Sequence, residues 1–140
     1  MEIVGTGVDI VECLRIRRMI ERHGEQFLLR VYTPEEIRFC QERRNTTEEF
    51  AARWAAKEAV FKSLGTRWRK GMAWTDVEVR CQPGGEPKVS LRGTARDLAD
   101  ARGVGEILLS LAHCRAYATA YCLAVRGGNG REAPPAGEAS

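Results

Sequence analysis

The chain has 140 residues, with 44% apolar and 29% charged positions and a net charge of +3. This length and composition fit one soluble globular domain that is large enough to bury a core. No apolar run approaches the roughly 18 residues of a membrane span, so neither a transmembrane helix nor a membrane partner is expected.

The five cysteines are odd in number and form no CxxC pair, which argues against a disulfide framework and against a zinc site. Because the chain has only two histidines, we expect any metal to be a hard cation held by carboxylate oxygens. The amino terminus carries acids where a secretory signal carries Lys or Arg, so we expect a cytoplasmic protein. The mild positive charge suits an acidic or phosphorylated partner.

The predicted elements begin with a strand over residues 2–11, which are rich in Ile and Val, and a helix over residues 12–23. Further along, Thr33 is a helix cap, and Glu36 completes a capping box with it. This pattern predicts a second helix over residues 34–43.

The longest predicted helix covers residues 47–64. Thr46 and Glu49 repeat the capping-box pattern at its start, and Gly65 follows its end. Large apolar residues recur along one side of this helix, which predicts that this side is buried. They are Phe50, Trp54, Phe61 and Leu64.

The apolar period changes to two in the second half of the chain. A hairpin is predicted over residues 77–91, and a short helix over residues 94–103 follows it. Two more strands are predicted over residues 107–111 and 117–125. The order of elements favours an α+β domain, residues 1–126, with a mainly antiparallel sheet packed against the long central helix. Residues 127–140 are rich in Gly, Pro and Ala and predict a disordered tail.

Two acids are the strongest candidates for chemistry. Asp9 ends an apolar strand, where it is either a functional carboxylate or a cap for the next helix. Glu58 lies in mid-helix on a face that Ala51 and Ala55 leave open for a ligand. The alternative for Glu58 is a surface ion pair with Lys62, four residues on.

Basic residues recur on the same long helix. Arg53 and Lys57 are four residues apart and can meet one anion, and Lys62 continues the series. The basic loop at residues 65–71 can gather phosphates and stack a base on Trp68. The alternatives are a solvated helix face and an ordinary exposed turn.

The first helix carries Arg15, Arg18 and Arg22 at i, i+3 and i+7, which forms a basic ridge opposite its apolar stripe. Such a ridge suits an acidic partner, although a solvated face has the same pattern. His113 follows a predicted strand, where it either binds phosphate or moves a proton, or has a structural role.

Three segments together resemble one family, the holo-acyl-carrier-protein synthases, which are 4′-phosphopantetheinyl transferases. The first is GTGVDIVE at residues 5–12, and the second is RWAAKEA at residues 53–59, followed by Lys62 and by LGT. The third is LSLAH at residues 109–113, followed by Tyr117-Ala118. The resemblance extends from Ile3 to about Val125.

The resemblance implies that the chain transfers the phosphopantetheine of coenzyme A to a serine of an apo acyl carrier protein and releases adenosine 3′,5′-bisphosphate. The resemblance implies a role in fatty acid biosynthesis, and the choice between a carrier of fatty acid synthesis and one of polyketide synthesis stays open. The family is typically homotrimeric, with active sites between subunits, and neither nucleic acid nor a membrane is implied as a partner.

The resemblance also implies roles for individual residues. Asp9 and Glu58 match the carboxylates that hold Mg²⁺, and with Lys62, which neutralises the leaving group, they form the catalytic set. Positions that match the coenzyme-binding residues are Arg53, Lys57, Lys62, Gly65, Thr66 and His113. The helix that receives the carrier protein matches Arg15, Arg18 and Arg22. The acceptor for the serine proton stays open between Glu58 and a water on the metal.

One residue departs from the family pattern, and two alternative functions stay open. Phe61 stands where many relatives have a small residue, and its bulk can alter the coenzyme pocket. A non-catalytic module that grips nucleotide or RNA phosphates with Arg53, Lys57 and residues 67–70 is the main alternative, and it predicts a strong salt dependence without a need for Asp9 or Glu58. A second alternative is an inactive chain that keeps the fold and serves as a partner within a larger synthase.

Overall fold

A computed structural model describes residues 1–66 and 71–127 and confirms the predicted α+β class. The strands are β1 Ile3–Glu12, β2 Val77–Cys81, β3 Pro87–Leu91, β4 Val104–His113 and β5 Tyr117–Arg126. The helices are α1 Cys13–His23, α2 Glu25–Val31, α3 Pro34–Gln41, α4 Thr46–Ser63 and α5 Gly93–Ala101. The predicted base-stacking residue, Trp68, and nearly all of the predicted tail lie outside the described residues, so both stay predictions.

All strand pairs are antiparallel, but they form two sheets. One has three strands in the order β1-β5-β4, and the other is the β2-β3 hairpin. In the larger sheet Asp9 pairs with Ala120 and Glu12 with Tyr117, which fixes the register of β1 on the central strand β5. No helix among the described residues is long and apolar enough to cross a membrane.

The sequence-based prediction missed one helix and misplaced one cap. Gly24, with φ of 56°, interrupts the helical conformation after α1, and α2 begins at the next residue. The missed helix is α2. The predicted cap at Thr46 is wrong, because α4 already begins at Thr46 and its hydroxyl donates to the carbonyl of Arg43. The capping box of Thr33 and Glu36 is confirmed at the start of α3.

Helix α4 lies in the centre of the fold and packs against β1 and β5 through a face of small residues. This face is formed by the fully buried Ala51, Ala52, Ala55, Ala56 and Ala59. Methyl side chains let the helix backbone approach the sheet closely. The strand contributes to the same contact, because a Cβ atom on Gly7 would lie 1.8 Å from the carbonyl oxygen of Ala59.

An aromatic cluster fills the space on the other side of α4. Trp54 and Trp74 stack with ring centroids 4.6 Å apart, and Phe61 contacts Trp74 edge-on at 6.0 Å. The Phe61 side chain is only 1% exposed. The Phe61 ring therefore packs in the core and does not extend into a ligand pocket.

The outer face of the three-stranded sheet is apolar and uncovered in the single chain. Side chains alternate between the two faces of the sheet along β1. Val11 therefore points to α4, whereas its neighbour Ile10 points to the outer face. The exposed apolar residues of this face are Val8, Ile10, Leu108, Tyr117 and Tyr121. An exposed apolar surface of this kind is typical of a contact with another protein.

We predict that Gly7→Ala lowers the free energy of unfolding by at least about 2 kcal/mol, because the added methyl forces α4 away from β1. Gly84→Ala is the matched control, since nothing lies within 4 Å of its Cβ position. Urea titration of both variants measures the difference. Equal midpoints would show that the helix–strand contact is not tight.

Candidate functional site

The close contact of β1 with α4 brings the predicted catalytic residues together. Lys62, on the last turn of α4, donates to the carbonyl oxygen of Val8 at 2.9 Å and to Asp9 Oδ1 at 3.2 Å. The ion pair of Lys62 is therefore with Asp9, and the Lys62–Glu58 ion pair, which was the alternative role of Glu58, is not formed. The alternative role of Asp9 as a helix cap is also wrong, because Glu12 occupies the cap position of α1.

Glu58 lies beside this pair and is electrostatically coupled to it. Burial raises the pKa of the Glu58 carboxyl, and the negative charge of Asp9 raises it further. The positive charges of Lys62 and Arg15 lower this pKa and oppose the shift. Two carboxylates and two cations thus share one electrostatic neighbourhood at the edge of the sheet.

The donor set fits a hard divalent cation that is shared with a substrate. The described residues contain no group of three or more His, Cys, Asp or Glu side chains that could enclose a metal. Mg²⁺ in proteins is usually held by one or two carboxylates together with substrate phosphates and waters. Asp9 and Glu58 match that count, and a cation between them would relieve the repulsion that raises the Glu58 pKa.

Helix α1 borders this site. The guanidinium of Arg15 lies 5.7 Å from the centroid of the Trp54 ring and acts electrostatically on Glu58, so it faces the carboxylates. Arg18 and Arg22 are exposed on the same helix. The predicted ridge therefore runs from the edge of the carboxylate site outward along α1.

Gly65 and Thr66 lie directly after α4, at the same end as Asp9 and Lys62. The Gly65 amide donates to the carbonyl of Lys62 at 2.9 Å, which closes the last turn of the helix. Gly65 has φ of 76°, a left-handed conformation that suits glycine. These two positions therefore lie at the C-terminal end of α4, where Gly65 faces the guanidinium of Arg102.

Lys57 is in the core rather than on a ligand-binding surface. Its ammonium group is fully buried, pairs with Glu36 Oε1 at 2.9 Å, and donates to the carbonyl oxygens of Trp74 and Val77. Burial lowers the Lys57 pKa, and the charge of Glu36 opposes this effect. The placement of Lys57 gives no support to a direct phosphate contact, which also weakens the alternative of a phosphate-binding module.

Arg53 and His113 lie on either side of Glu49 near the start of α4. Arg53 Nη1 pairs with Glu49 Oε1 at 2.9 Å, and His113 Nδ1 lies 2.8 Å from Glu48 Oε1. Both residues line a cleft of about 620 Å³ that Arg43 also borders. The predicted coenzyme-binding residues thus divide into a group with Lys62 and a group with Arg53.

The two groups lie on different faces of α4. Nine residues separate Arg53 from Lys62, which is two and a half turns at 3.6 residues per turn. Their side chains therefore leave the helix in opposite directions, about 13 Å apart along its axis. One extended ligand cannot touch both side chains of the same chain without passing around the helix.

Sequence reasoning did not identify the partners of these basic residues. Glu36 and Glu49 were interpreted only as members of capping boxes, although each also neutralises a basic residue of α4. The i,i+4 spacing of Glu49 and Arg53 is a signal that could have predicted their pair. No spacing predicts the pair of Glu36 and Lys57, because it joins two different helices.

A match to a family model identifies the family of this chain. Residues 5–122 match the model of the 4′-phosphopantetheinyl transferase superfamily. The chain belongs to this superfamily. Since the match covers most of the chain, it confirms the resemblance that the three sequence segments indicated.

Among these phosphopantetheinyl transferases, the holo-[acyl-carrier-protein] synthase of Rhodopirellula baltica is 49% identical over 121 residues, which are 86% of this chain and 96% of that protein. The crystal structure of the Neisseria meningitidis synthase superposes with a TM-score of 0.80 at 28% identity, over 89% of this chain and 100% of that one. The Helicobacter pylori synthase in complex with coenzyme A gives a TM-score of 0.75 at 26% identity, over 85% and 98%.

We predict that Lys57→Met destabilises the transferase by about 3–5 kcal/mol, because it leaves the Glu36 carboxylate buried without a counter-charge. The double variant Lys57→Met/Glu36→Gln should recover much of this loss, since it removes both charges. Lys88→Met, at an exposed lysine of β3, is the control and should change stability by less than about 0.5 kcal/mol. Additive losses in the double variant, measured by urea unfolding, would contradict the coupling.

Proposed function

We propose that this chain transfers the 4′-phosphopantetheine of coenzyme A to a serine of an apo acyl carrier protein and releases adenosine 3′,5′-bisphosphate. The observation that carries the proposal is the convergence of Asp9, Glu58 and Lys62, from two distant segments, at one edge of the fold. It is supported by the 49% identity to a holo-[acyl-carrier-protein] synthase and by a structural relative that binds coenzyme A.

In the proposed reaction the serine oxygen bonds to the phosphorus nearer pantetheine, and the bond from that phosphorus to the oxygen bridging the two phosphates breaks. Catalysis of such a transfer depends on positioning and on electrostatic stabilisation of the diphosphate oxygens. Magnesium, held by Asp9 and Glu58, would supply positive charge to the diphosphate. Lys62 supplies a further positive charge beside Asp9, where the leaving phosphate gains negative charge.

The serine proton needs an acceptor within hydrogen-bond reach. We assign this role to Glu58, because it lies beside Asp9 and Lys62 but, unlike Asp9, forms no ion pair with Lys62. Burial and the charge of Asp9 raise the Glu58 pKa while no cation lies between the two acids, so at limiting magnesium we expect activity to fall on the acidic side at a higher pH than an ordinary glutamate would give.

We further propose that the working enzyme is a homotrimer with sites shared between subunits. Arg53 and Lys62 point to opposite sides of α4, so one coenzyme can meet both kinds of residue only if they come from different chains. The exposed apolar face of the three-stranded sheet is the surface that a second copy would cover. The number of three subunits rests on the family resemblance.

The carrier protein is proposed to dock on α1. Arg15 reaches toward Glu58, while Arg18 and Arg22 extend the positive charge along the exposed side of the helix. A carrier that lies on this ridge would present its serine to the carboxylate site. Charged contacts at the rim of an interface mainly affect association and its salt dependence.

The decisive assay incubates the chain with coenzyme A, magnesium and an apo carrier protein, and measures the carrier by intact mass. A gain of one phosphopantetheine supports the proposal, and an unchanged mass under saturating conditions would overturn it.

We predict that Glu58→Gln lowers turnover at least about 100-fold, because it removes an anionic ligand and base. Glu25→Gln, at an exposed glutamate of α2, is the control.

The Glu58→Gln variant should be no less stable than the parent at pH 7. A carboxyl whose pKa is raised in the folded state favours folding below its ordinary pKa, and this contribution is lost as the pH rises through the folded-state value. Removing the charge at neutral pH therefore relieves repulsion with Asp9. A lower melting temperature together with lost activity would indicate misfolding instead of a catalytic role.

We predict that Arg18→Glu/Arg22→Glu raises the KM for the carrier at least about tenfold, since two attractive charges become repulsive. The KM for coenzyme A should change by less than about twofold, because neither residue lies in the cleft beside Arg53. Arg30→Glu, at an exposed arginine of α2, is the matched control. Equal effects on both substrates would argue against a separate docking ridge.

We predict that Tyr121→Lys converts the trimer to monomers in light scattering and abolishes transfer, because it places a charge in the proposed interface. Leu29→Lys is the control, since Leu29 is also exposed and apolar but lies on α2.

Mixed trimers test directly whether sites are shared between subunits. They are prepared by subunit exchange between the Glu58→Gln variant and the His113→Ala variant. At limiting coenzyme A, about a quarter of the sites should regain both residues in random trimers, and no recovery would contradict shared sites.

A further inference from the structure

The cysteines of this chain differ sharply in accessibility. Cys13, Cys40 and Cys122 are buried, and burial raises their pKa values, that of Cys40 to about 12. Buried thiols of this kind are poor nucleophiles. Cys81 and Cys114 are the exposed thiols, so chemistry at sulfur is expected at these two positions.

Cys81 is held against a buried guanidinium. Arg53 Nη2 donates to Cys81 Sγ at 3.4 Å, and the Arg53 side chain is only 1% exposed. The Phe39 ring lies 4.2 Å from its guanidinium carbon, and Arg53 Nη1 is fixed by Glu49. The Arg53 Nε atom has no hydrogen-bond partner among the residues that the structure describes. This guanidinium is thus rigid and only partly satisfied by the protein.

The cleft beside Cys81 carries a small excess of positive charge. Arg43 and Arg53 line it together with Cys81, and Glu49, which is in the same lining, pairs with Arg53. Arg43 is therefore left as the exposed cation of the cleft, and an exposed positive charge concentrates small anions near it. An anionic reagent that enters this cleft arrives directly at the exposed sulfur of Cys81.

We propose that Cys81 is a modification site for an anionic disulfide of the glutathione type. The inference rests on the proposed function in one respect, since the same cleft holds Arg53 and His113, two of the residues that are expected to bind coenzyme A. A glutathionyl group on Cys81, with its carboxylates paired to the exposed Arg43, would then fill the cleft and exclude the coenzyme. The site would couple transfer activity to the thiol–disulfide state of the surroundings.

The exchange balances without a further oxidant. The Cys81 sulfur attacks one sulfur of glutathione disulfide, the original S–S bond breaks, and a Cys81–glutathione disulfide forms. The Cys81 sulfur is oxidised, and the departing sulfur is reduced and leaves as glutathione with the proton that Cys81 gives up. A free thiol in excess reverses the reaction.

The test incubates the full chain with glutathione disulfide and locates the adduct by intact mass and peptide mapping. Cys81 should react at least about tenfold faster than Cys114 at low salt, because the cleft attracts the anionic reagent. With the uncharged 2-hydroxyethyl disulfide, this preference should shrink. Cys81→Ser should remove the fast adduct, and the matched control Cys114→Ser should keep it.

Protection is measured with adenosine 3′,5′-bisphosphate, which carries the phosphates of the coenzyme but no thiol of its own. It should slow labelling of Cys81 and leave labelling of Cys114 unchanged. Equal rates at both cysteines, faster labelling of Cys114, or an absence of protection would overturn the inference. A chain that is inactive before treatment counts against the proposed function alone, because the adduct is read by mass and not by activity.

Discussion

The arrangement of this molecule depends on the close approach of strand β1 to helix α4. Added Cβ atoms on Gly5 and Gly7 would lie 2.1 and 1.8 Å from carbonyl oxygens of the helix, so only glycine permits the observed distance. The same strand carries Asp9 two residues later, and the same helix carries Glu58 and Lys62. A tight backbone contact is therefore what places the acids and the lysine within electrostatic reach of one another.

A buried ionic contact fixes the opposite side of α4. The Glu36 carboxylate accepts from the amides of Thr33 and Val79 and pairs with Lys57, so one side chain joins α3, α4 and β2. Such a contact adds little net stability over an apolar one, but breaking half of it is costly. Its value lies in holding the rotation of α4, and that rotation decides which face presents Glu58.

The two faces of α4 carry different parts of the proposed site. The face with Glu58 and Lys62 carries the proposed chemistry, whereas Arg53 and the cleft with His113 and Cys81 lie on the other side. A shared site in an assembly brings these faces together, and the uncovered apolar sheet is consistent with such an assembly. The exposed thiol of Cys81, in the cleft that Arg43 borders, then lies where the proposed modification would interfere with the coenzyme.

The sequence alone determined the order of the elements apart from α2, the capping box at Thr33 and the family, because these depend on local spacing and on short segments. The tertiary structure decided what local spacing cannot express. Lys57 has the pattern of a phosphate ligand, yet it is neutralised by Glu36 from another helix, and Lys62 pairs with Asp9 rather than with Glu58. Pairings of residues far apart in sequence follow from how elements pack, and packing depends on the shape and burial of whole surfaces rather than on the period of one segment.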